Sequence, residues 1–242
     1  MGKSNQSTQE INSQAQNPLG TAPVGGLIAK FAIPAIISML VSAMYNIVDQ
    51  IFIGQGVGML GNAATNVAFP VTTIATALAL LLGIGGASNY NLEMGAGQEK
   101  KASGIAGTAL SSLVISGLIL AVIALVFLKP LLTLFGATTD VMPYAVDYTG
   151  ITALGLPFYI LSVGGNHVVR ADRSPTYSMT CIMIGAIINT ILDPVFIFVF
   201  GWGIKGAAWA TVIGQVVSGV LVIVYFWKFR NMYLTGAMLK PK

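Results

Sequence analysis

Charged residues are scarce in this 242-residue chain: Asp, Glu, Lys and Arg together make up 8% of it, whereas 55% of its residues are hydrophobic. A soluble fold needs far more charged surface, so the composition indicates a membrane protein. The net charge of +4 does not indicate nucleic-acid binding, because the basic residues separate apolar runs. Cysteine occurs once, at Cys181, which excludes an internal disulfide and a cysteine metal site.

Six apolar runs are long enough to span a bilayer, because about 20 helical residues cross its hydrocarbon core. Membrane β-strands would instead give runs of about 10 residues with alternating polarity. The sequence therefore predicts an all-α integral membrane protein, with a six-helix membrane lobe at 27–228 after a disordered cytoplasmic tail at 1–26. The spans are predicted at about 27–51, 63–88, 104–128, 143–168, 176–200 and 204–228.

The Lys and Arg residues are distributed unequally over the two sides of the predicted helices. The positive-inside rule assigns the side richer in these residues to the cytoplasm. Both termini are therefore predicted to be cytoplasmic, and the first, third and fifth spans run outward. The terminal side carries Lys3, Lys30, Lys100, Lys101, Arg170, Arg173, Lys228, Arg230, Lys240 and Lys242, whereas the other side carries Lys129 and Lys205.

The fifth span contains an acidic residue in the stretch "INTILDPVFIFVFGWG". Asp193 lies about seven residues, or roughly 10 Å, short of the outer end of that span. A charged aspartate at mid-membrane costs about 2.5–3.5 kcal/mol on insertion scales, so such residues normally face a bundle interior or an aqueous cavity. Asn189, one helical turn earlier, lies on the same face and can hydrogen-bond the carboxyl group. Pro194 frees the carbonyl of Thr190 and predicts a kink there.

The first span offers a second acidic residue, in "YNIVDQIFIG". Asn46 and Asp49 are three residues apart on one helical face in the outer half of this span, so both are candidate site residues. Asp49 and Asp193 lie at similar depth, and we expect them to share one cavity. Two acids in one cavity resist simultaneous ionisation, and a proton or a bound cation discharges them. Asp193 is therefore predicted to exchange charge with an ion or a cationic ligand during transport.

Other polar residues have ordinary explanations when the residues alone are considered. Tyr148 fits an interfacial aromatic, Thr211 can bond its own backbone, and Asn166 approaches the cytoplasmic end of the fourth span. The sequence contains no nucleophile with a base and orienting group, no phosphate-binding glycine loop and no metal signature. Neither an enzyme nor a cofactor is expected. The one metal ion that these residues could bind is Na+, between Asp49 and Asp193.

Several segments together resemble the amino-terminal half of a bacterial multidrug and toxic compound extrusion (MATE) transporter: "YNIVDQIFIG", "NVAFP", "MGAGQEKKAS", "RADRSPTYSM" and "INTILDPVFIFVFGWGIKGAAWATVIGQ". The resemblance covers nearly everything from about residue 24 to the end. It implies a bacterial inner (plasma) membrane protein with twelve helices in two six-helix lobes around a central cavity, one lobe being this chain. It also implies multidrug efflux, in which an antiporter exchanges organic cations and other amphipathic xenobiotics for H+ or Na+ and so confers antibiotic resistance.

The resemblance also assigns roles to individual residues. The implied site residues are Asp49, Asp193 and Asn189 for ion coupling, with Tyr148, Thr211, Asn166 and Asn46 for the substrate or the surrounding network. The loop between the fourth and fifth spans departs from the family pattern. Arg173 and Thr176 stand there in place of the glycine and the basic residue of "ADGSPK"-like sequences.

The stretch "NMYLTGAMLKPK" resembles the cytoplasmic linker that leads to the family's seventh helix, so 229–242 is predicted to begin that linker. We expect a C-terminal lobe that is missing from this chain, and a second copy of the chain is the alternative. The expected partners are small amphipathic or cationic substrates and membrane lipid. Two other functions stay open: a six-helix assembly module that needs a separate second lobe, and a lipid-precursor flippase, whose cavity usually needs basic residues that these spans lack.

Overall fold

Helices form all of the regular structure in residues 24–228, the part of the chain that the computed structural model describes. These helices are α1 (Val24–Gly56), α2 (Met59–Gly95), α3 (Glu99–Val126), α4 (Leu128–Leu134), α5 (Met142–Ala171), α6 (Pro175–Pro194) and α7 (Gly203–Lys228). Six of them, all except α4, are long and apolar enough to cross a membrane. The predicted all-α fold with six spans is confirmed.

The helices extend beyond the apolar runs from which they were predicted. For example, α2 covers Met59–Gly95 instead of 63–88, and the short helix α4 lies in a segment predicted as a connection. Polarity marks where the membrane ends, whereas helical hydrogen bonding continues into polar sequence. For the same reason the predicted disordered tail is wrong at Val24–Gly26, which begin α1. The rest of that tail and the predicted linker at 229–242 lie outside the described residues.

Close contacts between glycines bring the helices together. A Cβ atom on Gly83 of α2 would lie 2.5 Å from the Cα of Gly164 in α5, so no side chain fits there. Between α6 and α7, a Cβ on Gly214 would lie 2.8 Å from the carbonyl oxygen of Gly185. Small residues of this kind let helix backbones pack closely where lipid provides no hydrophobic drive for association.

Helix α1 stands apart from the main core, which lies among α2, α3, α5 and α7. It packs chiefly against α6 and only lightly against α2. Near its end, the buried side chain of Ile53 packs with Ile197 and Ile204 in a small separate cluster. The C-terminal half of α1 is therefore held against the end of α6, where the fifth span carries its acidic residue.

The end of α6 changes helical geometry at the predicted break. The α-helix ends at Pro194, and Val195–Val199 continue as a π-helical turn. Proline lacks the N–H that would bond the carbonyl of Thr190, so the regular pattern cannot continue through it. Single π-helical turns are frequent at functional sites. Asp193 lies two residues before the first residue of this turn.

Candidate functional site

Two acidic side chains from different helices meet in one buried pocket. Asp193, in the last turn of α6, is 0% exposed, and Asp49 of α1 is 7% exposed. Their carboxyl groups lie within hydrogen-bonding reach of each other. Such a contact is repulsive when both carboxyl groups are ionised. We refer to Asp49 and Asp193 as the acid pair, and the structure brings them together as the sequence predicted.

Part of the acid pair has no hydrogen-bond donor among the described residues. Asp49 Oδ1 and Asp193 Oδ2 are both buried and unpartnered. Buried polar atoms are nearly always satisfied, and exceptions are typical of sites that take a ligand, an ion or a proton. The acid pair therefore has hydrogen-bond acceptors that are left unsatisfied, as is typical of a binding site.

Three polar side chains continue from the acid pair into the neighbouring helices. Asn189 Nδ2 donates to Asp193 Oδ1 at 3.5 Å and lies at the same distance from Thr211 Oγ1 in α7. Thr211 in turn is hydrogen-bonded to the side chain of Tyr148 in α5. At 3.5 Å the bonds of Asn189 are at the outer limit for a hydrogen bond, so this amide restrains its neighbours weakly. The structure thus brings five predicted site residues into one network.

A tyrosine that the sequence analysis missed borders the acid pair. Tyr45 of α1 interacts electrostatically with Asp49, Asp193 and Tyr159 of α5. The hydroxyl of Tyr159 lies 2.8 Å from Thr76 Oγ1 of α2, which extends the polar lining to a fifth helix. Tyr45 precedes Asp49 by one helical turn, so the same-face spacing used for Asn189 would have identified it.

Asn166 does not join this network, and Asn46 reaches it only through a hydrogen bond to the side chain of Tyr45. Asn46 is exposed, and its Nδ2 donates to the carbonyl of Ser42 at 2.7 Å. A separation of three residues leaves a helical offset of about 60°, which is enough to turn Asn46 to the surface while Asp49 is buried. Asn166 is buried, but it lies about 27 Å along α5 from Tyr148. Its Nδ2 donates to the carbonyl of Ser162 at 2.8 Å.

No basic side chain in the described part of the chain forms an ion pair with the acid pair. The ion pairs found within the described residues are Lys101 with Glu93 and Lys205 with Asp147, and both lie elsewhere. An uncompensated pair of carboxylates in a membrane interior is strongly disfavoured. Among the described residues, nothing supplies the positive charge that two ionised carboxyl groups would need.

The family model named MatE matches residues 34–195, a range that contains both members of the acid pair. This chain belongs to the MatE family. Among curated MatE relatives, the multidrug export protein MepA of Staphylococcus haemolyticus is 31% identical over 81% of this chain and 43% of its own length. An FAD transporter of Shewanella oneidensis is 33% identical over 84% of this chain and 47% of its own length.

Solved structures agree with the family assignment. The MATE multidrug transporter DinF-BH, solved as a complex, is 35% identical to this MatE chain, with a TM-score of 0.84 over 90% of it. A multidrug resistance MATE transporter in an outward-facing conformation is 28% identical, with a TM-score of 0.82 over 89% of this chain. The matches cover 49% and 48% of those two structures.

This MatE chain spans about half the length of the relatives it matches. It therefore corresponds to one six-helix lobe of a longer transporter architecture. The six apolar helices and the bacterial relatives indicate a protein of the plasma membrane. The curated relatives are transporters and not enzymes.

Proposed function

We propose that this chain forms one lobe of a secondary active exporter, which expels organic cations and other amphipathic drugs in exchange for H+ or Na+. The single observation that supports this most strongly is the buried contact between Asp49 and Asp193, with one unpartnered oxygen on each carboxyl group. A purely structural acid would have its oxygens satisfied by the protein.

The exchange follows from electrostatics. Two carboxylates in a low-dielectric pocket repel each other, so occupation by a proton, a Na+ ion or a cationic substrate lowers the energy of the site. These ligands discharge the same pair and therefore compete. Competition makes the ion and the substrate reciprocally linked, which is the thermodynamic requirement of an exchanger. Asn189, Thr211 and Tyr148 supply oxygen atoms beside the pair and complete the ion-coupling network.

Alternating access needs movement of this lobe against a second one. We propose that both termini of this segment are cytoplasmic, in accordance with the distribution of its Lys and Arg residues. The acid pair then lies in the outer half of the membrane. The cavity is completed by a C-terminal lobe or by a second copy of the chain, since lobes with both termini inside are related by an axis along the membrane normal.

The range of substrates extends beyond drugs. Several relatives are named for multidrug export, and one is named as an FAD transporter. We propose that this chain likewise accepts small amphipathic molecules with different polar groups. Cationic groups are recognised at the acid pair.

Transport in proteoliposomes tests this function. The chain is reconstituted with a fluorescent cation such as ethidium, and a pH or Na+ gradient is imposed. We expect gradient-dependent quenching that is lost in Asp193→Asn and in Asp49→Asn. Asp147→Asn is the matched control, because Asp147 is an exposed acid that pairs with Lys205 away from the pocket. Normal transport by either acid-pair variant contradicts the proposal.

A second function, a six-helix module that assembles with a separately encoded lobe, is favoured by the half-length match to the relatives. Co-purification tests it directly. A partner with six further spans, captured by the tagged chain from its native membrane, supports the assembly module. Gradient-driven uptake by the purified chain alone excludes it.

A further inference from the structure

A second concave surface, separate from the acid pair, lies between α1 and α2. It is an open groove of about 620 Å³. This volume is within the range of about 300–1,000 Å³ that small-molecule pockets occupy. The described side chains that line it carry no charge. Those that matter for recognition are the amides of Asn46, Gln50, Gln55 and Asn62 and the apolar side chains of Ile47 and Ile51.

The groove and the acid pair lie on opposite sides of α1. Asp49 is buried against α6, whereas Asn46 and Gln55 are exposed towards the groove. Amide side chains on a helix that crosses a membrane are poorly suited to contact lipid tails. Their concentration in one concave surface therefore indicates a polar occupant.

The amides present hydrogen-bond acceptors to the groove. Asn46 Nδ2 donates to the carbonyl of Ser42 at 2.7 Å, which leaves Asn46 Oδ1 as an acceptor. Asn62 Oδ1 is buried and has no partner in the described part of the chain. Gln50 is held at the groove wall by Thr65, whose Oγ1 lies 3.1 Å from Gln50 Oε1. Because the described lining has amide acceptors and no carboxylate, it suits a ligand with neutral N–H or O–H groups.

A glycine creates the space beside one of these acceptors. A Cβ atom on Gly54 would lie 2.9 Å from Asn62 Nδ2, so any side chain there would displace the Asn62 amide. The isoleucines complete an amphipathic surface, because Ile47 is 61% exposed and Ile51 is 49% exposed. The groove thus combines fixed acceptors with an apolar wall.

We propose that this groove binds the uncharged, hydrogen-bond-donating part of an amphipathic substrate. The N–H or O–H groups of the ligand bond Asn46 Oδ1 and Asn62 Oδ1, and its apolar part packs on Ile47 and Ile51. The inference rests on the proposed transport of small molecules. It adds that two separate sites recognise different chemical groups of the substrates. Positive charge is bound at the acid pair, and neutral donors are bound between α1 and α2.

Two probes with opposite chemistry test this division on the purified full chain. Riboflavin is uncharged, fluorescent and rich in O–H and N–H donors, whereas tetraphenylphosphonium is a cation without any donor. We expect Asn62→Leu and Gly54→Ala each to weaken riboflavin binding by about tenfold and to leave tetraphenylphosphonium binding unchanged. Gly85→Ala is the control for the glycine variant, because a Cβ at Gly85 has nothing within 4 Å. Asp193→Asn should weaken only the cation.

The inference is overturned if riboflavin binds both groove variants as tightly as the wild type, or if both probes weaken equally. It is also overturned if a Gln55→Cys variant cross-links to a second copy of the chain, since the groove is then an interface between copies. Failure of the proposed function gives a different result: tetraphenylphosphonium binding would not respond to Asp193→Asn, whatever riboflavin does.

Discussion

Two buried aspartates of this lobe have opposite surroundings. Asp172, in the loop between α5 and α6, is 3% exposed, and Asp193 is 0% exposed. Asp172 accepts hydrogen bonds on both carboxyl oxygens, from Tyr90 at 2.9 Å and from Tyr225 at 2.6 Å. Asp193 has one weak bond from Asn189, one unpartnered oxygen and a second acid beside it. The two acids are therefore alike in burial and differ in whether their hydrogen bonds are satisfied.

The surroundings of Asp172 are those of a structural clasp, by which we mean Asp172 with Tyr90, Tyr225 and Ser174. Tyr90 belongs to α2 and Tyr225 to α7, so a single carboxyl group joins two helices to the α5–α6 loop. Tyr225 Oη also lies 2.8 Å from Ser174 Oγ. The clasp thus fixes one end of the bundle through satisfied bonds, while the acid pair near the other end keeps unsatisfied ones.

We expect the Asp→Asn substitution to reduce stability at Asp172 and to remove ion dependence at Asp193. Asp172→Asn replaces one of the two acceptor oxygens with an NH2 donor, so one tyrosine hydroxyl loses its acceptor. We expect this to lower the free energy of unfolding by about 2–3 kcal/mol while cation binding still responds to ions. Asp193→Asn should abolish that response and change stability by less than about 1 kcal/mol, because it relieves repulsion between the acids. Thermal unfolding and cation titrations of both variants check this. Equal stability losses at the two positions would contradict the comparison.

Removing a tyrosine hydroxyl weakens the clasp and leaves Asp172 itself unchanged. We expect Tyr225→Phe to cost about 1.5–3 kcal/mol of unfolding free energy, because a buried carboxyl loses its shortest donor. Tyr90→Phe, which removes the longer bond, should cost less. Thermal unfolding in detergent measures both, and the order of the two losses is the critical result. A larger loss for Tyr90→Phe would show that bond length does not rank these contacts.

Helix packing can be changed without touching either acid. Gly83→Ala would place a methyl group 2.5 Å from the backbone of Gly164, so we expect a loss of about 1–3 kcal/mol from overpacking. Gly85→Ala, on the same helix with open space, should be neutral or slightly stabilising. Unfolding measurements separate the two variants. Ion dependence of cation binding should persist in both, and its loss in Gly83→Ala would mean that the acid pair depends on the α2–α5 distance.

The smallest expected effect concerns backbone strain next to the clasp. Arg173 has φ 62°, a left-handed conformation that costs an L-residue roughly 1–2 kcal/mol relative to glycine. Arg173→Gly should therefore stabilise the chain by about 0.5–1 kcal/mol, since the flexibility of glycine offsets part of the gain. Arg173→Ala keeps the Cβ atom and should show no gain. Destabilisation by the glycine variant would show that the arginine side chain contributes more than the strain costs.

The sequence was a good guide to the features that the membrane imposes. The bilayer thickness determines helix length, so six spans were readable from apolar runs alone. Asp49 and Asp193 were paired correctly because their depth follows from position along two helices that run in the same direction. The face of Asn46 was not readable, because a three-residue spacing leaves it half-way between the pocket and the surface.

Contacts between distant segments escaped the sequence analysis. The clasp joins Tyr90, Asp172 and Tyr225, which are far apart in the chain and lie in no shared motif. The groove was missed because its amides come from two helices whose relative rotation is decided by packing. The loop around Arg173 was noticed only as a departure from the family pattern. Its left-handed backbone now explains why glycine is the usual residue there.

The most direct test of the central claim is the dissociation constant of tetraphenylphosphonium measured at several pH values and Na+ concentrations. If the acid pair exchanges a cationic ligand for an ion, binding to the wild-type chain weakens as either H+ or Na+ rises. The Asp193→Asn variant then loses that dependence. Identical dependence in the wild type and the variant, or affinity that responds to neither ion, would contradict the account.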